Sequence, residues 1–340
     1  MSLEPTPEQE RLAAFVRRFP QKKIVVVGDL VADQFLYGAI SRVSREAPVL
    51  ILRYEQTQTV PGGAANCAVN LALLDARAFL IGLTGNDEAG QALLENLSEA
   101  NVVTDGILQS QFVRTTTKVR VLAGQIHSTR QQVIRIDYED EPTQNEELRA
   151  ELLEKFREAA EDADALIISD YNYGVANENL TAAAREIAER REIPLLVDSR
   201  FQLGKYEGCT SATPNEDEVE QLLDRKMKSV SELEQACSEL REKLGFQALL
   251  VTRGGHGMML IEPEKEPLHI EAVGSREPVD VTGAGDTVIA TYTLALASGA
   301  TFSDAANLAN HAGGLVVMKR GTASITRQEL LSSVLRWAER

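Results

Sequence analysis

Short apolar runs, each followed by a turn signal, alternate along this chain with segments of helical periodicity. The runs are residues 23–29, 165–171, 194–200 and 248–255. Continuous apolar runs of this length are typical of parallel strands buried on both faces. The segments of helical periodicity between them are 66–74, 90–100, 145–160, 179–191 and 230–243. The alternation predicts an α/β fold of three layers, with helices on both faces of a mainly parallel sheet.

Two stretches break this alternation. Residues 35–60 are rich in β-branched side chains and lack a helical period, and TTTKVRVL with QQVIRIDY, within 112–138, read as two strands of a hairpin. We interpret both stretches as one small β-sheet that projects from the core as a lid, able to close over a substrate or to pair with a second subunit. The alternative is a set of extra strands at the edge of the main sheet. Residues 1–340 are thus predicted to form one domain with the lid inserted in it.

Charge and composition restrict the partners of the chain. Its 340 residues are 44% hydrophobic, which suffices for a large core, and no stretch approaches the roughly 20 apolar residues of a membrane span. Residues 1–19 lack the order of a signal peptide and are predicted to form an amphipathic helix. A net charge of −16 argues against nucleic acid. Three widely spaced cysteines and four histidines without ligand spacing predict neither a disulfide framework nor a zinc site, and favour a reducing cytoplasm.

The strongest chemical signal is DVTGAGDT, residues 280–287, which precedes an apolar helical stretch. The glycines let the backbone approach a ligand, and the amides of Gly283, Ala284, Gly285 and Asp286 are predicted to point out of a helix N-terminus, where a phosphate is stabilised. Asp286 itself is placed to take a proton from an attacking hydroxyl. Phosphoryl transfer needs both parts together. The alternative is a glycine turn with Asp286 as a helix cap.

Two further motifs are predicted to bind a polar acceptor molecule. In PGGAAN, Gly62 and Gly63 expose amides before a helix, and Asn66 offers both a donor and an acceptor. Asp29 and Asp33 follow the first strand, and ligands of open α/β sheets bind beyond the carboxyl ends of strands. These carboxylates can accept hydrogen bonds from sugar hydroxyls. The alternatives are an ordinary helix entry for the first motif and turn or cap residues for the second.

A second pair of motifs points to a nucleotide. Asn215 and Glu218 in TPNEDE are three residues apart, so on a helical turn they share a face and can hold a water-coordinated Mg²⁺ near phosphates. The alternative is a capping box. The TRGGHG motif follows a buried strand and can lie along the nucleotide phosphates, with a simple turn into GMMLIE as the alternative. Its candidate contacts are Thr252, Arg253, Gly254 and Gly257.

In this order, the motifs resemble the ribokinase-like, or PfkB, family of carbohydrate kinases. Residues 62–90 are similar to the first family signature and residues 280–296 to the second, and the resemblance runs from about residue 23 to about residue 326. Within the family, the sequence most resembles the heptose-7-phosphate kinase branch, the kinase half of bifunctional enzymes that make ADP-heptose. The segments that carry this closer resemblance are GDLVADQFLYGAISRVSREAPVLIL, TTTKVRVL, QQVIRID, ISDYNYGV and KRGTASIT.

The resemblance implies a ribokinase-like fold with a β lid, ATP and Mg²⁺ as the donor and its cofactor, and often a homodimer formed through the lids. It implies Asp286 as the base, with residues 283–285 as the anion hole. The matching positions place Asn215 and Glu218 on the MgATP side, and Asp33, Gly62, Gly63 and Asn66 on the sugar side. A monovalent cation such as K⁺ near Asp280 is common in the family.

Two positions depart from the branch. Tyr173 stands where a lysine suited to a sugar phosphate is usual, and Arg200 keeps a cation in place of a lysine, with different geometry. We include Arg200 among the substrate contacts, but Tyr173 leaves open a kinase for a free sugar, a sugar acid or a nucleoside. A non-catalytic sensor is a further alternative, against which the intact Asp286 argues. A dinucleotide oxidoreductase is disfavoured because GDLVAD replaces G-x-G-x-x-G. Since the chain ends soon after the kinase pattern, no nucleotidyltransferase half is expected.

Overall fold

The structure is a computed structural model, and it describes residues 4–124, 130–140, 145–274 and 278–336. Within these ranges the chain forms thirteen strands in two sheets. In chain order the strands are β1 (Lys23–Gly28), β2 (Leu30–Val43), β3 (Leu50–Gly63), β4 (Arg77–Gly85), β5 (Val103–Ser110), β6 (Thr117–Gly124), β7 (Gln131–Tyr138), β8 (Ala165–Asp170), β9 (Leu195–Ser199), β10 (Ser211–Ala212), β11 (Ala248–Thr252), β12 (Met258–Ile261) and β13 (Leu268–Ile270).

The main sheet has the strand order β13-β12-β11-β10-β9-β8-β1-β4-β5. Strands β4, β5 and β8 to β11 run parallel to β1, whereas β12 pairs antiparallel with β11 and β13 pairs antiparallel with β12. The four predicted apolar runs are β1, β8, β9 and β11, all in the interior of this sheet. Strand β10 was not predicted because it has two residues and therefore no readable period, and β4 and β5 at one end of the sheet were not predicted either.

The helices pack on both faces of the main sheet. They are α1 (Pro7–Arg18), α2 (Ala64–Leu73), α3 (Glu88–Glu99), α4 (Glu146–Ala160), α5 (Glu178–Arg191), α6 (Glu216–Leu222), α7 (Val230–Leu244), α8 (Ala284–Ala297), α9 (Phe302–Val316) and α10 (Arg327–Arg336). Strand β1 shows the reason, because successive side chains point to opposite faces. Ile24 and Val26 pack with α2, α8 and α9, while Val25 and Val27 pack with α4, α5 and α7. This confirms the predicted three-layer α/β core.

The predicted lid is a separate sheet with the strand order β3-β2-β6-β7, which we call the lid sheet. Strand β2 pairs antiparallel with β3 and parallel with β6, and β6 and β7 form the predicted hairpin. Strands β2 and β3 extend beyond the predicted residues 35–60, since β2 begins at Leu30 and β3 ends at Gly63. Asp33 and Gly62 therefore belong to lid strands, which places two predicted site residues at the base of the lid.

Three smaller predictions concern the ends and the composition of the chain. Helix α1 matches the predicted N-terminal helix and begins with a capping box between Thr6 and Gln9. Cys67, Cys209 and Cys237 are buried and unpaired. Across the part of the chain that the structure describes, no helix has the length and apolarity that crossing a membrane requires.

Candidate active site

The carboxyl ends of the central strands place four predicted site residues, together with Asp170, in a row. From β11 to β1 the row contains Thr252, Asn215, Arg200, Asp170 and Asp29, each at or just after a strand end. An isolated parallel bridge pairs Asn215 with Thr252, so the two predicted nucleotide motifs are neighbours. The sheet topology thus separates the predicted nucleotide side, at β10 and β11, from the predicted acceptor side, at β8 and β1.

Asp286 lies in the first turn of α8 and is only 5% exposed. Its Oδ2 accepts a hydrogen bond of 2.6 Å from the Asn66 side-chain amide, and its Oδ1 accepts one of 3.2 Å from the Tyr171 hydroxyl. The two donors come from α2 and from the loop after β8. The structure therefore brings Asn66 and Asp286, 220 residues apart in sequence, into direct contact.

The environment of Asp286 tunes its protonation. Burial raises the pKa of this carboxyl to about 6, and the hydrogen bonds from Asn66 and Tyr171 oppose the rise. The nearby charge of Asp33 raises the pKa, while Arg200 lowers it. Asp286 is consequently ionised at neutral pH and still basic enough to accept a proton, which is the compromise that general-base catalysis requires.

A buried polar chain holds Asn66 in place. The Asn70 amide donates to the Asn66 carbonyl oxygen at 2.9 Å and to its Oδ1 at 3.3 Å, and the Thr287 hydroxyl donates to Asn70 Oδ1 at 2.8 Å. These side chains are at most 2% exposed. Each of these hydrogen bonds lies within α2 or joins α2 to α8. The buried polar chain therefore fixes the position of α8, which carries Asp286, relative to α2, which carries its donor Asn66.

The glycine loop before α8 combines a tight turn with open space. Gly283 has φ +76°, and a Cβ there would lie 2.7 Å from the Asn66 side-chain nitrogen. A Cβ at Gly285 would meet nothing within 4 Å. The N–H groups of Gly285 and Asp286 have no hydrogen-bond acceptor among the described residues, whereas the Ala284 amide donates to the Val281 carbonyl at 3.2 Å. The expected anion hole is therefore corrected: Ala284 does not present a free amide.

Gly62 and Gly63 are required by close packing at the base of the lid sheet. A Cβ on Gly62 would lie 2.6 Å from Asp33 Oδ2, and a Cβ on Gly63, whose φ is +58°, would lie 2.6 Å from the Asp29 carbonyl oxygen. Asp33 is buried and forms an ion pair with Arg120 of β6. Asp33 thus lies against the Gly62 backbone and close enough to Asp286 to affect its pKa.

Asp29 is directed away from the open site, contrary to the prediction that it binds the acceptor. It is 1% exposed, and its carboxylate accepts backbone N–H bonds from Tyr171 at 2.8 Å, Tyr173 at 2.9 Å and Val175 at 3.1 Å. Burial raises its pKa to about 6 against these three donors. Asp29 therefore positions the loop that carries Tyr171, because its hydrogen-bonding capacity is taken up by backbone amides.

A cavity of about 620 Å³ opens between the lid sheet and the main sheet, and we call it the acceptor pocket. Its lining residues are Lys118, Arg135, Glu139, Asp140, Tyr171, Asn172, Tyr173, Arg200 and Phe201. In the lid sheet, Lys118 is paired in register with Asp33 and with Asp137, so these side chains share one face. Of these residues, only Arg200 was predicted to contact the substrate. The alternation of TTTKVRVL and QQVIRIDY indicated that Lys118 and Arg135 lie on the polar face of the hairpin, but it did not indicate what that face contacts.

Lys118 is the most buried cation of the acceptor pocket. Its ammonium lies 5.7 Å from the centre of the Tyr171 ring and 5.5 Å from that of Tyr173. Burial lowers its pKa, and the neighbouring positive charge of Arg135 lowers it further. Arg135 is paired with Asp137 at 2.7 Å, and the Tyr173 hydroxyl donates to Glu139 at 2.5 Å. The lid sheet thus places a positive charge next to the Tyr173 ring.

On the nucleotide side, the structural alternatives for both motifs are observed. Asn215 and Glu218 form a reciprocal capping box at the start of α6, with bonds of 2.8 and 2.9 Å. Arg253 is paired with Glu216 at 2.6 Å. A Cβ on Gly257 would lie 2.0 Å from the Ile270 carbonyl oxygen, so this glycine is needed for the β12–β13 packing. Gly254 borders open space, and it remains available to a ligand together with the exposed face of Asn215.

Two carboxylates at this edge, Asp198 and Glu218, repel each other electrostatically. No group of three or more His, Cys, Asp or Glu in the described ranges has metal-binding geometry. Burial raises the pKa of Asp198 well above its ordinary value, and the charges of Asp286 and Glu218 add to the rise. A cation between Asp198 and Glu218 would relieve this repulsion. The sequence analysis missed Asp198.

Asp280, the candidate for a monovalent cation, links two loops. Its carboxylate accepts the N–H of Thr282 at 3.0 Å and that of Gly321 at 3.0 Å. Burial acts to raise the pKa of Asp280, but the two amide hydrogen bonds outweigh burial and the pKa lies below its ordinary value. The carboxylate is therefore a stable negative charge beside the glycine loop.

Sequence comparison agrees with this geometry. The pattern that describes the pfkB family of carbohydrate kinases matches residues 21–329. This chain belongs to that family. It is 39% identical over 331 residues to bifunctional protein HldE of Mesorhizobium japonicum and 42% identical over 323 residues to that of Stutzerimonas stutzeri. The matches cover 97% and 94% of this chain but 65% of each relative, so the chain spans about two thirds of their length.

Solved structures of the pfkB kind share the fold. Arabidopsis thaliana ribokinase complexed with ribose and ATP superposes with a TM-score of 0.71 at 20% identity, covering 93% of this chain and 99% of the ribokinase. Escherichia coli phosphofructokinase-2 in complex with potassium superposes with a TM-score of 0.73 at 20% identity, covering 92% and 98%. The ribokinase-like fold and the carbohydrate kinase family, both predicted from the two glycine signatures, are confirmed.

Proposed function

We propose that this carbohydrate kinase transfers the γ-phosphoryl group of ATP to a hydroxyl of a phosphorylated sugar. One observation carries the proposal: Asp286, a buried carboxylate with a pKa of about 6, shares a helix turn with two free amides and is bonded to Tyr171, which lines a pocket that contains cations. Phosphoryl transfer requires a base beside the nucleophile and fixed dipoles at the transferring group. Both requirements are met within one turn of α8.

In the proposed mechanism, Asp286 takes the proton of the acceptor hydroxyl while the hydroxyl oxygen attacks the γ-phosphorus of ATP in line. Asn66 and Tyr171 each bind one oxygen of the carboxylate, which fixes its orientation. The amides of Gly285 and Asp286 stabilise the charge that develops on the transferring group. Closure of the lid sheet over the pocket would exclude water and suppress ATP hydrolysis.

ATP is proposed to lie along the ends of β10 and β11. The candidate contacts are Asn215, Glu218, Thr252, Arg253 and Gly254. Mg²⁺ held through water by Asp198 and Glu218 would neutralise phosphate charge when bound. A K⁺ ion near Asp280 stays a prediction, supported by the permanent charge of that carboxylate.

The acceptor is proposed to carry a phosphate group of its own. Lys118 and Arg200 converge on the acceptor pocket from opposite walls, and charge-assisted hydrogen bonds to a phosphate are among the strongest that side chains make. The chain is also similar to proteins named HldE over most of its length. A heptose 7-phosphate is therefore the first candidate. Glu139 and Asp140 line the same pocket and can accept hydrogen bonds from sugar hydroxyls, which keeps a free sugar or a sugar acid as the second.

The test is ATP-dependent phosphorylation, followed by mass spectrometry, over a panel of sugars, sugar acids, nucleosides and sugar phosphates that includes heptose 7-phosphate. We expect a mass gain of one phosphate with wild type and not with Asp286→Asn. A sugar phosphate as the best acceptor supports the proposal, whereas a free sugar as the best acceptor contradicts the phosphate assignment alone. Binding of sugar and ATP without product from any acceptor would favour a non-catalytic sensor.

A homodimer through the lid sheets is proposed as well. Ile134 and Ile136 of β7 pair in register with Val121 and Val119, so they lie on the face opposite Lys118. They are 53% and 42% exposed, which leaves an apolar surface at the edge of the sheet. Sedimentation of wild type against Ile134→Lys tests this: a dimer that dissociates in the variant supports the proposal, and a wild-type monomer contradicts it.

A further inference from the structure

A second groove of about 350 Å³ lies on the other side of the loop that borders the acceptor pocket, and we call it the rear groove. It is lined by Arg149 of α4, Arg185 of α5 and Lys205, and by Asn172 and Gly174 of the loop after β8. Asn172 is shared with the acceptor pocket. The proposed nucleotide contacts do not line the rear groove. It is thus a separate cavity that shares one wall with the proposed active site.

The cations of the rear groove lack partners. Within the described ranges, Arg149, Arg185 and Lys205 form no ion pair, although acidic residues outnumber basic ones by 51 to 35 in this chain. The Nε atoms of Arg149 and Arg185 are buried and have no hydrogen-bond acceptor. Buried donors without an acceptor are rare and costly, because the group has lost its water. Both arginines line the rear groove and neither is paired with a carboxylate within the described ranges, so the groove has the charge to bind an anion.

The two acidic residues of the rear groove, Asp170 and Glu178, form no ion pair with these cations within the described ranges. Asp170 already accepts hydrogen bonds from the Asn172 amide at 2.8 Å, the Ser199 hydroxyl at 2.9 Å and the Tyr206 hydroxyl at 2.8 Å. Glu178 is exposed in the first turn of α5. The start of α5 also faces the groove through Asn177, and the positive end of a helix dipole adds to the three cations.

We propose that the rear groove is an effector site for a small phosphate-bearing anion that is distinct from both substrates. Its volume exceeds what inorganic phosphate needs and is in the range of small-molecule sites. Two guanidinium groups and one ammonium are the groups that bind phosphate oxygens most strongly. The ligand is therefore expected to be a phosphorylated metabolite that contacts Arg149, Arg185 and Lys205 through its phosphate.

The shared loop gives an effector access to the catalytic carboxylate. Asn172 has φ +67°, in the left-handed region, and its side chain accepts a hydrogen bond from Gln202, which lines the rear groove. The neighbouring Tyr171 bonds to Asp286 through its hydroxyl and to Asp29 through its amide. An anion that orders residues 172–174 from behind would therefore stabilise the donor to the proposed base.

Pyrophosphate is the probe, and isothermal titration the measurement. A chain carrying Lys118→Gln and Arg200→Gln weakens anion binding in the acceptor pocket, so the binding that remains reports on other sites. We expect one binding event to persist there, and to weaken about tenfold or more when Arg149→Gln and Arg185→Gln are added. Arg157→Gln is the matched control, since Arg157 lies on α4, pairs with Glu186 and does not line the groove.

An affinity that is the same with and without the Arg149 and Arg185 substitutions overturns the proposal, as does the loss of all binding in the Lys118→Gln, Arg200→Gln chain. Thermal melting by circular dichroism identifies a variant that fails to fold, and the single variant Lys205→Gln, at an exposed position, then replaces it in the titration.

Hydrogen exchange supplies the second readout: pyrophosphate should protect the amides of 171–175, and unchanged exchange refutes the coupling. Neither readout requires turnover, so a negative result leaves the proposed kinase activity untouched.

Discussion

The start of α8, which reaches the acceptor pocket through Tyr171, and the lid sheet are built in different ways, and we call them the rigid wall and the lid wall. On the α8 side, Asp286, Asn66, Asn70 and Thr287 are at most 5% exposed and joined by hydrogen bonds of 2.6–3.3 Å. On the lid side every residue of β7 is exposed, and the charged side chains pair within a sheet whose outer face is exposed. We infer that the rigid wall carries the chemistry, which tolerates little displacement, and that the lid wall carries specificity.

The largest expected effect comes from removing the base on the rigid wall. Asp286→Asn should lower kcat by about 10²–10⁴-fold, because the acceptor hydroxyl loses its proton acceptor. The free energy of unfolding at pH 8 should not fall, since asparagine can still accept from Asn66 and avoids burying a charge. Steady-state kinetics and urea unfolding measure both. The control is Asp75→Asn, which removes a half-exposed partner of Arg327. Equal losses in both variants would refute the role of Asp286.

The two glycines of the loop before α8 differ: Gly283 is needed for the fold, whereas Gly285 leaves open space for a ligand. Gly283→Ala should lower the free energy of unfolding by about 1–3 kcal/mol, because φ +76° and the contact with Asn66 exclude a side chain. Gly285→Ala should change it by less than about 0.5 kcal/mol, yet lower kcat/KM for ATP, since its methyl group enters open space beside the free amides. Full activity in Gly285→Ala would show that the transferring phosphate lies elsewhere.

The lid wall is tested by its most buried cation. Lys118→Gln should raise KM for a sugar phosphate by about 10–100-fold and change kcat less, because the lost contact is to a non-reacting group. A free sugar as acceptor should show no such change. Lys226→Gln is the control, at a lysine whose side chain is 81% exposed. If kcat and KM for both acceptors change together, the lid wall takes part in the chemistry and the contrast between the walls fails.

The smallest effect is expected where the two walls meet, at Tyr171. Because burial raises the pKa of Asp286 to about 6, kcat/KM should fall about tenfold per pH unit below that value, as the base becomes protonated. Tyr171→Phe removes a hydrogen bond that favours the ionised form, so the midpoint should move to higher pH. A pH–rate profile of both proteins measures the shift. A midpoint that stays in place would assign the titration to another group.

Several predictions from the sequence concerned local patterns and match the structure. The apolar runs are interior strands, residues 145–160 and 179–191 coincide with α4 and α5 within a residue, and the hairpin of β6 and β7 lies where alternation placed it. For Asn215 and Glu218 the local alternative is also observed, because a capping box involves only residues three apart. Whether these two residues also bind MgATP stays a prediction.

Asp29 shows where reasoning along the chain failed. Its position after the first strand is equally suited to a sugar contact and to a structural anchor, and the choice depends on backbone amides at 171, 173 and 175 that no local pattern connects to it. Ala284 failed for a related reason, since a turn from Val281 takes its amide. In both cases a backbone N–H group needed an acceptor, and the hydrogen bond that it forms determines what its partner can still bind.

The sequence by itself determined the fold class and the two glycine motifs, and it made Asp286 the candidate base, because periodicity and turn chemistry act over a few residues. Only the tertiary structure decided what Asp286 contacts, which cations line the acceptor pocket beside Tyr173, and where Arg149, Arg185 and Lys205 converge. Lys118 and Arg200 come from different sheets, and Asn66 meets Asp286 across 220 residues. Contacts over such separations depend on how strands and helices pack, and packing has no signature in any single stretch of sequence.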